Sequence, residues 1–219
     1  MRAVFQQELA SVQDGLILIS DLVLDAIRDA STAFNSADIA LADQVITADP
    51  VIDRLAVELD ELSIQILGRQ GPVAHDLRIV VAALRMSALL ERMGDLARHI
   101  AQLVRRHYPQ HVVPESLRDV FVELAAQSVR TAELLNRLLR TQAVELADAL
   151  IHGDARTDEL HRSVFAAILS EDWTGDTEQT VDVTLATRFF ERFGDQAVSI
   201  AKRVKYLSTG EWAPQRVRP

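Results

Sequence analysis

Glu91-Arg92-Met93-Gly94-Asp95 recurs as Glu191-Arg192-Phe193-Gly194-Asp195, one hundred positions later. In each copy the two carboxylates are four residues apart. On a helix that spacing puts both on one face, with Cβ atoms about 5–6 Å apart. Like charges so placed repel, and helix stability alone does not favour them. A positive partner must offset them: an arginine, a lysine or a metal ion. A second acidic pair is duplicated as well. Asp49-Pro50-Val51-Ile52-Asp53 matches Asp154-Ala155-Arg156-Thr157-Asp158. Each half of the chain therefore carries two D/E-x-x-x-D motifs on consecutive helices, the mark of an internal repeat.

Counting along the hairpins brings these motifs together. In the first half, fifteen residues back from Gly68 is Asp53, and fifteen forward from Asp76 is Glu91. In an antiparallel pair with equal rise per residue those positions lie side by side. In the second half, fifteen forward from Asp176 is Glu191, and fifteen back from Ser170 is Ala155, between Asp154 and Asp158. Four carboxylates per half thus converge at one level. Such a cluster must raise its pKa values, attract cations or recruit basic side chains. All-oxygen sites suit Mg²⁺, Ca²⁺ or Mn²⁺, and iron also fits. A simpler reading stands beside this one. Asp49 and Asp154 fall where helix N-caps are expected, and Arg92 and Arg98 offer surface ion pairs to Glu91 and Asp95. The same reading makes Gly94 and Gly194 helix-contact residues. His161 follows Asp158 by three residues, but Ala56 is its first-half counterpart, so it is not a repeated ligand. No Cys, no G-x-S-x-G, no Walker-type loop and no Glu-x-x-His pair is present, so no catalytic set emerges.

The elements that carry the motifs are helical throughout. Leu9, Val12, Leu16, Val23 and Ile27 keep a helical period from about Phe5 to Phe34. Ser36 is placed to cap a short helix over 37–46. Asp49-Pro50 reads as the start of the next, running to about Leu67. A helix from about Asp76 to His107 has the stripe Val80, Ala83, Ser87, Leu90, Gly94, Ala97, Ala101, Val104. The segment from Tyr108 to Pro114 separates the halves. The second half repeats the plan, with a long helix to Thr141, a continuation to Ile151 and a new start at Gly153-Asp154. A last helix spans about 176–207, with the stripe Val183, Thr187, Phe190, Gly194, Ala197, Ala201, Val204. The expected fold is all-α: two tandem, pseudo-symmetric three-helix bundles over 1–110 and 111–210, followed by a flexible tail over 211–219.

Composition narrows the function classes. A net charge of −9 argues against nucleic acid as the main partner, because affinity there comes from neutralising phosphates. It argues equally against adsorption on an anionic membrane by charge. The first ten residues carry Arg2 and Glu8 and have no apolar core of a signal peptide. The longest apolar run, Ile79 to Leu84, is far short of the ~20 residues that span a bilayer. With no cysteine, these features predict a cytoplasmic protein with no direct membrane insertion.

Glu191-Arg192-Phe193-Gly194-Asp195-Gln196-Ala197-Val198-Ser199-Ile200-Ala201 resembles the ERxGDxAxxIA signature of the PhoU family, and Glu91 to Ala101 is its first-half copy. Gly71-Pro72-Val73-Ala74-His75-Asp76-Leu77-Arg78 is similar to the family's QxPVAxDLR segment, with Gly where Gln is usual. The resemblance runs from about Phe5 to Gly210. It implies two three-helix bundles and metal clusters of iron, zinc or other divalent ions at the acidic motifs. Carried over by position, the ligands are Asp49, Asp53, Glu91 and Asp95 in one half, and Asp154, Asp158, Glu191 and Asp195 in the other. Gln196 stands where the second motif often has His, and that position is left out of the set. The resemblance also implies a negative regulator of the phosphate-starvation response. Its expected partners are the ATPase subunit of a phosphate ABC transporter, a sensor histidine kinase and a second copy of itself. Rival expectations are an accessory to a different phosphate carrier, and a carboxylate-bundle enzyme or metal store.

Overall fold

The computed structural model describes residues 2–210. Six helices follow one another: α1 (Arg2–Ser36), α2 (Ile39–Gln70), α3 (Ala74–His107), α4 (Arg118–Thr141), α5 (Val144–Ile168) and α6 (Thr177–Thr209). A short 3₁₀ turn, Glu115–Leu117, precedes α4. Helices α1–α3 form one bundle and α4–α6 the second. The bundles pack on each other through α1 against α4 and α3 against α6.

The small-residue stripes are the reason the helices come close. Every member of the α3 stripe, from Val80 to Val104, is buried, as is every member of the α6 stripe from Val183 to Val204. Gly, Ala and Ser at these positions leave short distances between helix axes. The two bundles share one apolar core. Phe34 of α1 meets Phe121 of α4 with ring centroids 5.4 Å apart, and meets Phe190 of α6 edge-on at 5.6 Å. Such ring pairs add about 0.5–1.5 kcal/mol each beyond area burial.

Two helix starts differ from the sequence expectation. Helix α2 is continuous from Ile39, its N-cap is Asp38, and Pro50 lies in its interior. The Asp38 side chain accepts from the Leu41 N–H at 3.0 Å, so neither Ser36 nor Asp49 is the cap. An interior proline removes one backbone bond and costs about 3 kcal/mol. The buried positions Ala42, Val45, Ile52 and Leu59 on either side of Pro50 hold the helix together across it. Likewise α5 runs through Gly153-Asp154 without interruption, held by buried Ala147, Leu150, Thr157 and Leu160. Asp154 is therefore not a cap either. Gly71 ends α2 at φ 52°, in the left-handed region glycine enters without strain. Asp176 caps α6, accepting from the Gln179 N–H at 2.8 Å. The tail from 211 lies outside the described residues.

Candidate functional site

Helices α2 and α3 run antiparallel with a register fixed by two contacts. Ser87 Oγ donates to the Ala56 carbonyl at 3.2 Å. Gly94 faces Ile52 and Asp49: a Cβ there would lie 3.0 Å from Ile52 Cδ1 and 3.5 Å from Asp49 Oδ1. That register sets Asp53 opposite Glu91, as the hairpin count predicts. Asp49 is only 6% exposed. Its Oδ2 lies 2.5 Å from Nε of Arg98. Arg98 also pairs with Asp95. Burial raises the Asp49 carboxyl above its ordinary range; Arg98 opposes the rise, while Asp53 and Asp95 add to it. Glu91 is raised by burial first and then by Asp95 and Asp53, with Arg92 opposing and Asp49 adding. The four first-half acids are thus within electrostatic reach of one another, and Arg98 lies among them.

The second half is built on the same register with different details. A Cβ on Gly194 would lie 3.0 Å from Asp154 Oδ1, so this glycine makes room for the carboxylate of the neighbouring helix. Gly94 and Gly194 are helix-contact residues: Gly94 admits the Ile52 side chain, and Gly194 admits the Asp154 carboxylate. Glu191 is 4% exposed and accepts from Nη1 of Arg188 at 2.9 Å. His161 stands beside Asp158 and Asp195. Burial lowers its imidazole pKa first and Arg188 lowers it further, whereas the two acids and a bond to Thr187 oppose the fall. Its Nδ1 is 3.0 Å from Thr187 Oγ1, and its ring packs edge-on against Phe165.

A third charged cluster joins the bundles, and its residues carry no motif. Asp182 of α6 is 1% exposed. One of its oxygens accepts from Arg106 of α3, and the other lies 2.6 Å from His107 Nε2. Nearby the His99 ring lies 5.2 Å from Phe189. The partners of Asp182 lie far away in sequence, so no local spacing announces the cluster. Arg98 was legible only as a surface ion pair; that it turns inward depends on Asp49 from another helix.

The first-half donor set is compatible with a hard cation in kind. It is all oxygen, burial and the neighbouring acids raise the Asp49 and Glu91 carboxyls, and the Oδ1 of buried Asp49 has no hydrogen-bond partner. As the side chains stand, Arg98 supplies the countercharge, and among the described residues no three or more His, Cys, Asp or Glu close on a common point. An ion at Asp49 and Asp95 would therefore compete with Arg98. In the second half, His161 adds an imidazole beside Asp158 and Asp195, a donor the first half lacks.

A family model, the PhoU domain, matches residues 16–104 and again 121–204. The phosphate-specific transport system accessory protein PhoU homolog 1 of Mycobacterium leprae is 36% identical over 97% of this chain and 96% of its own length. The PhoU homolog 2 of Mycobacterium tuberculosis is 35% identical over 96% and 99%. The crystal structure of PhoU from Pseudomonas aeruginosa superposes with a TM-score of 0.82 at 26% identity, covering 94% of this chain and all of that one. The repeated acidic register, the two bundles and these matches place the chain in one family: it belongs to the PhoU family.

Proposed function

We propose that this chain is an accessory protein of a phosphate-specific transport system and a negative regulator of the phosphate-starvation response. It acts in the cytoplasm as an adaptor between the transporter's ATPase subunit and a sensor histidine kinase, as a homodimer and without catalysing a reaction itself. The observation that carries this reading is the match to accessory proteins of that system over 97% of the chain. No helix among the described residues is long and apolar enough to cross a membrane, so contact with a transporter would run through the helical surfaces. Val57 and Ile64 on α2 and Leu77 and Val81 on α3 are exposed apolar side chains of the kind a partner covers.

The metal assignment belongs to the same proposal. Asp49, Asp53, Glu91 and Asp95 would hold one group of ions, and Asp154, Asp158, Glu191 and Asp195 another. A divalent or iron-type ion there would neutralise the carboxylates and tie α2 to α3 and α5 to α6.

The function is tested by deleting the gene and measuring phosphate-regulon transcription in high phosphate. Derepression, reversed by the gene in trans, is the expected result. Unchanged repression would sink the regulator reading. Changed phosphate uptake with unchanged transcription would favour an accessory of another phosphate carrier.

A further inference from the structure

Every seventh position of α3 from Arg78 to Arg106 carries a basic residue: Arg78, Arg85, Arg92, His99 and Arg106. Seven residues are close to two helical turns, so these side chains form one row with a pitch of about 10.5 Å. Helix α6 follows that row from the other bundle. The charge of Arg85 acts on Arg203, the His99 ring lies 5.2 Å from Phe189, and Arg106 bonds to Asp182. From Arg85 to His99 the chain advances fourteen residues on α3 and retreats fourteen on α6; the next step is seven on each. The register therefore does not slip, and the row runs for about 30 Å along the seam between the bundles. Arg192 of α6 joins it, close enough to act on His99.

In a chain of net charge −9 this row lacks internal countercharge. Asp182 takes Arg106. Arg85, Arg92 and Arg192 are exposed and form no ion pair among the described residues. Burial lowers the Arg203 guanidinium pKa first, and Arg85 lowers it further, so like charges from the two bundles face each other. The acids of the two clusters lie on the flanks. Glu91 and Asp95 act on Asp53 and Asp49 of α2, and Asp195 acts on His161 of α5. The basic row is thus narrow, with acids on both sides. At its Arg106 end it opens into a trough of about 420 Å³, where Leu103, Leu185 and Phe189 lie beside Arg105 and Arg106. Val181, one turn before Leu185, is also exposed.

The pitch selects the occupant. Two turns of any α-helix span about 10.5 Å, so a helix with a carboxylate every seven residues meets the row at each arginine. Same-face residues of an extended strand recur at about 6.5–7 Å and fall out of step. A uniform polyanion carries charge at every unit and has nothing to set against Leu103, Leu185 and Phe189. The flanking acids add a condition. The acidic line of the partner must be one residue wide, with neutral or basic neighbours, because a broader one would meet Glu91 or Asp195.

We propose that the seam between α3 and α6 docks an acidic amphipathic helix of a partner protein, its carboxylates on Arg85, Arg92 and Arg192 and an apolar side chain in the trough at Phe189. The inference is independent of the regulatory reading: gene deletion tests that reading, and direct binding tests this one. The probe is a fluorescein-labelled peptide of three repeats of Glu-Ala-Ala-Leu-Lys-Ala-Gln, titrated with full-length protein in low-salt buffer and followed by anisotropy. Saturable binding that weakens with added salt is expected. Arg85→Gln/Arg92→Gln/Arg192→Gln should weaken it about tenfold. A peptide with Gln in place of each Glu should lose about as much, and one with Ala in place of each Leu about fivefold. Should the triple variant melt below wild type, the Gln peptide decides alone. No saturable binding, equal binding of the Glu and Gln peptides, or unchanged affinity in a stably folded triple variant would each overturn the proposal. Binding of long-chain inorganic polyphosphate without binding of the peptide would also overturn it, and would assign the row to a polyanion.

Discussion

The two acidic clusters share a register and differ in where they bury charge. In the first half the buried acid is Asp49, on α2, and Glu91, on α3, is half-buried. In the second half the buried acid is Glu191, on α6, and Asp154, on α5, is half-buried. Each buried acid has an arginine, and the arginines come from different positions. Arg98 serves Asp49, and its second-half counterpart is Val198. Arg188 serves Glu191, and its first-half counterpart is Ala88. One buried carboxylate with one guanidinium is thus met twice by different residues. A buried charge left unpaired costs several kcal/mol, whereas the position of its partner is free to change. The two halves share the constraint and meet it with different residues.

Removing the arginines should separate the two halves most. Arg98 is 26% exposed at its side chain, and Arg188 is 53% exposed. Arg98→Ala should cost about 2–3 kcal/mol in denaturant unfolding, because Asp49 and Asp95 both lose it. Arg188→Ala should cost about 1 kcal/mol, because that arginine is mostly in solvent. Equal losses would show that the two pairs are energetically alike and that burial of the arginine does not distinguish them. A middle-sized effect concerns metal. Arg98 holds two first-half acids at once, Asp49 and Asp95, whereas Arg188 beside Glu191 is mostly in solvent and more easily displaced, so bound metal should fall further in Glu191→Ala than in Glu91→Ala. Elemental analysis of protein purified without added metal measures it. Content equal to wild type in both variants would remove these acids as ligands.

The smallest effect is one of pH. Burial and the neighbouring acids raise the Glu91 carboxyl in the folded chain. A raised folded-state pKa contributes stability below the ordinary value of 4.5, and that contribution is lost as pH rises through the folded value. Glu91→Gln cannot ionise and escapes the loss. In chelator-treated buffer at pH 7 its melting midpoint should exceed wild type by about 2 °C. The difference should close below about pH 4.5. Glu191→Gln should show no such gain, because Glu191 carries the bond from Arg188. A gain in both would mean that the second cluster is as strained as the first.

Much of this was legible in the sequence, for physical reasons that particular residues make plain. The α3 and α6 stripes repeat every three or four residues, and burial follows that period directly. The pairing of Asp53 with Glu91 follows from equal rise along two joined helices. Asp49-Pro50 misled because its start signal is local, whereas the continuity of α2 is set by packing on both sides of Pro50. Gly153 misled in the same way. Asp182, Arg106 and His107 were invisible because their meeting depends on how one bundle docks on the other.

The seam between α3 and α6 has one more consequence. Asp182 is tied from the opposite bundle by two side chains, Arg106 and His107, and Phe34 is wedged between Phe121 and Phe190. These contacts hold the bundles against hinging or sliding past each other. The two acidic clusters therefore stand at a fixed separation, like the jaws of a caliper locked at one setting. A partner touching both would pay the entropy of alignment once, and the second contact would form at a high effective concentration. A partner with a different spacing would be limited to one.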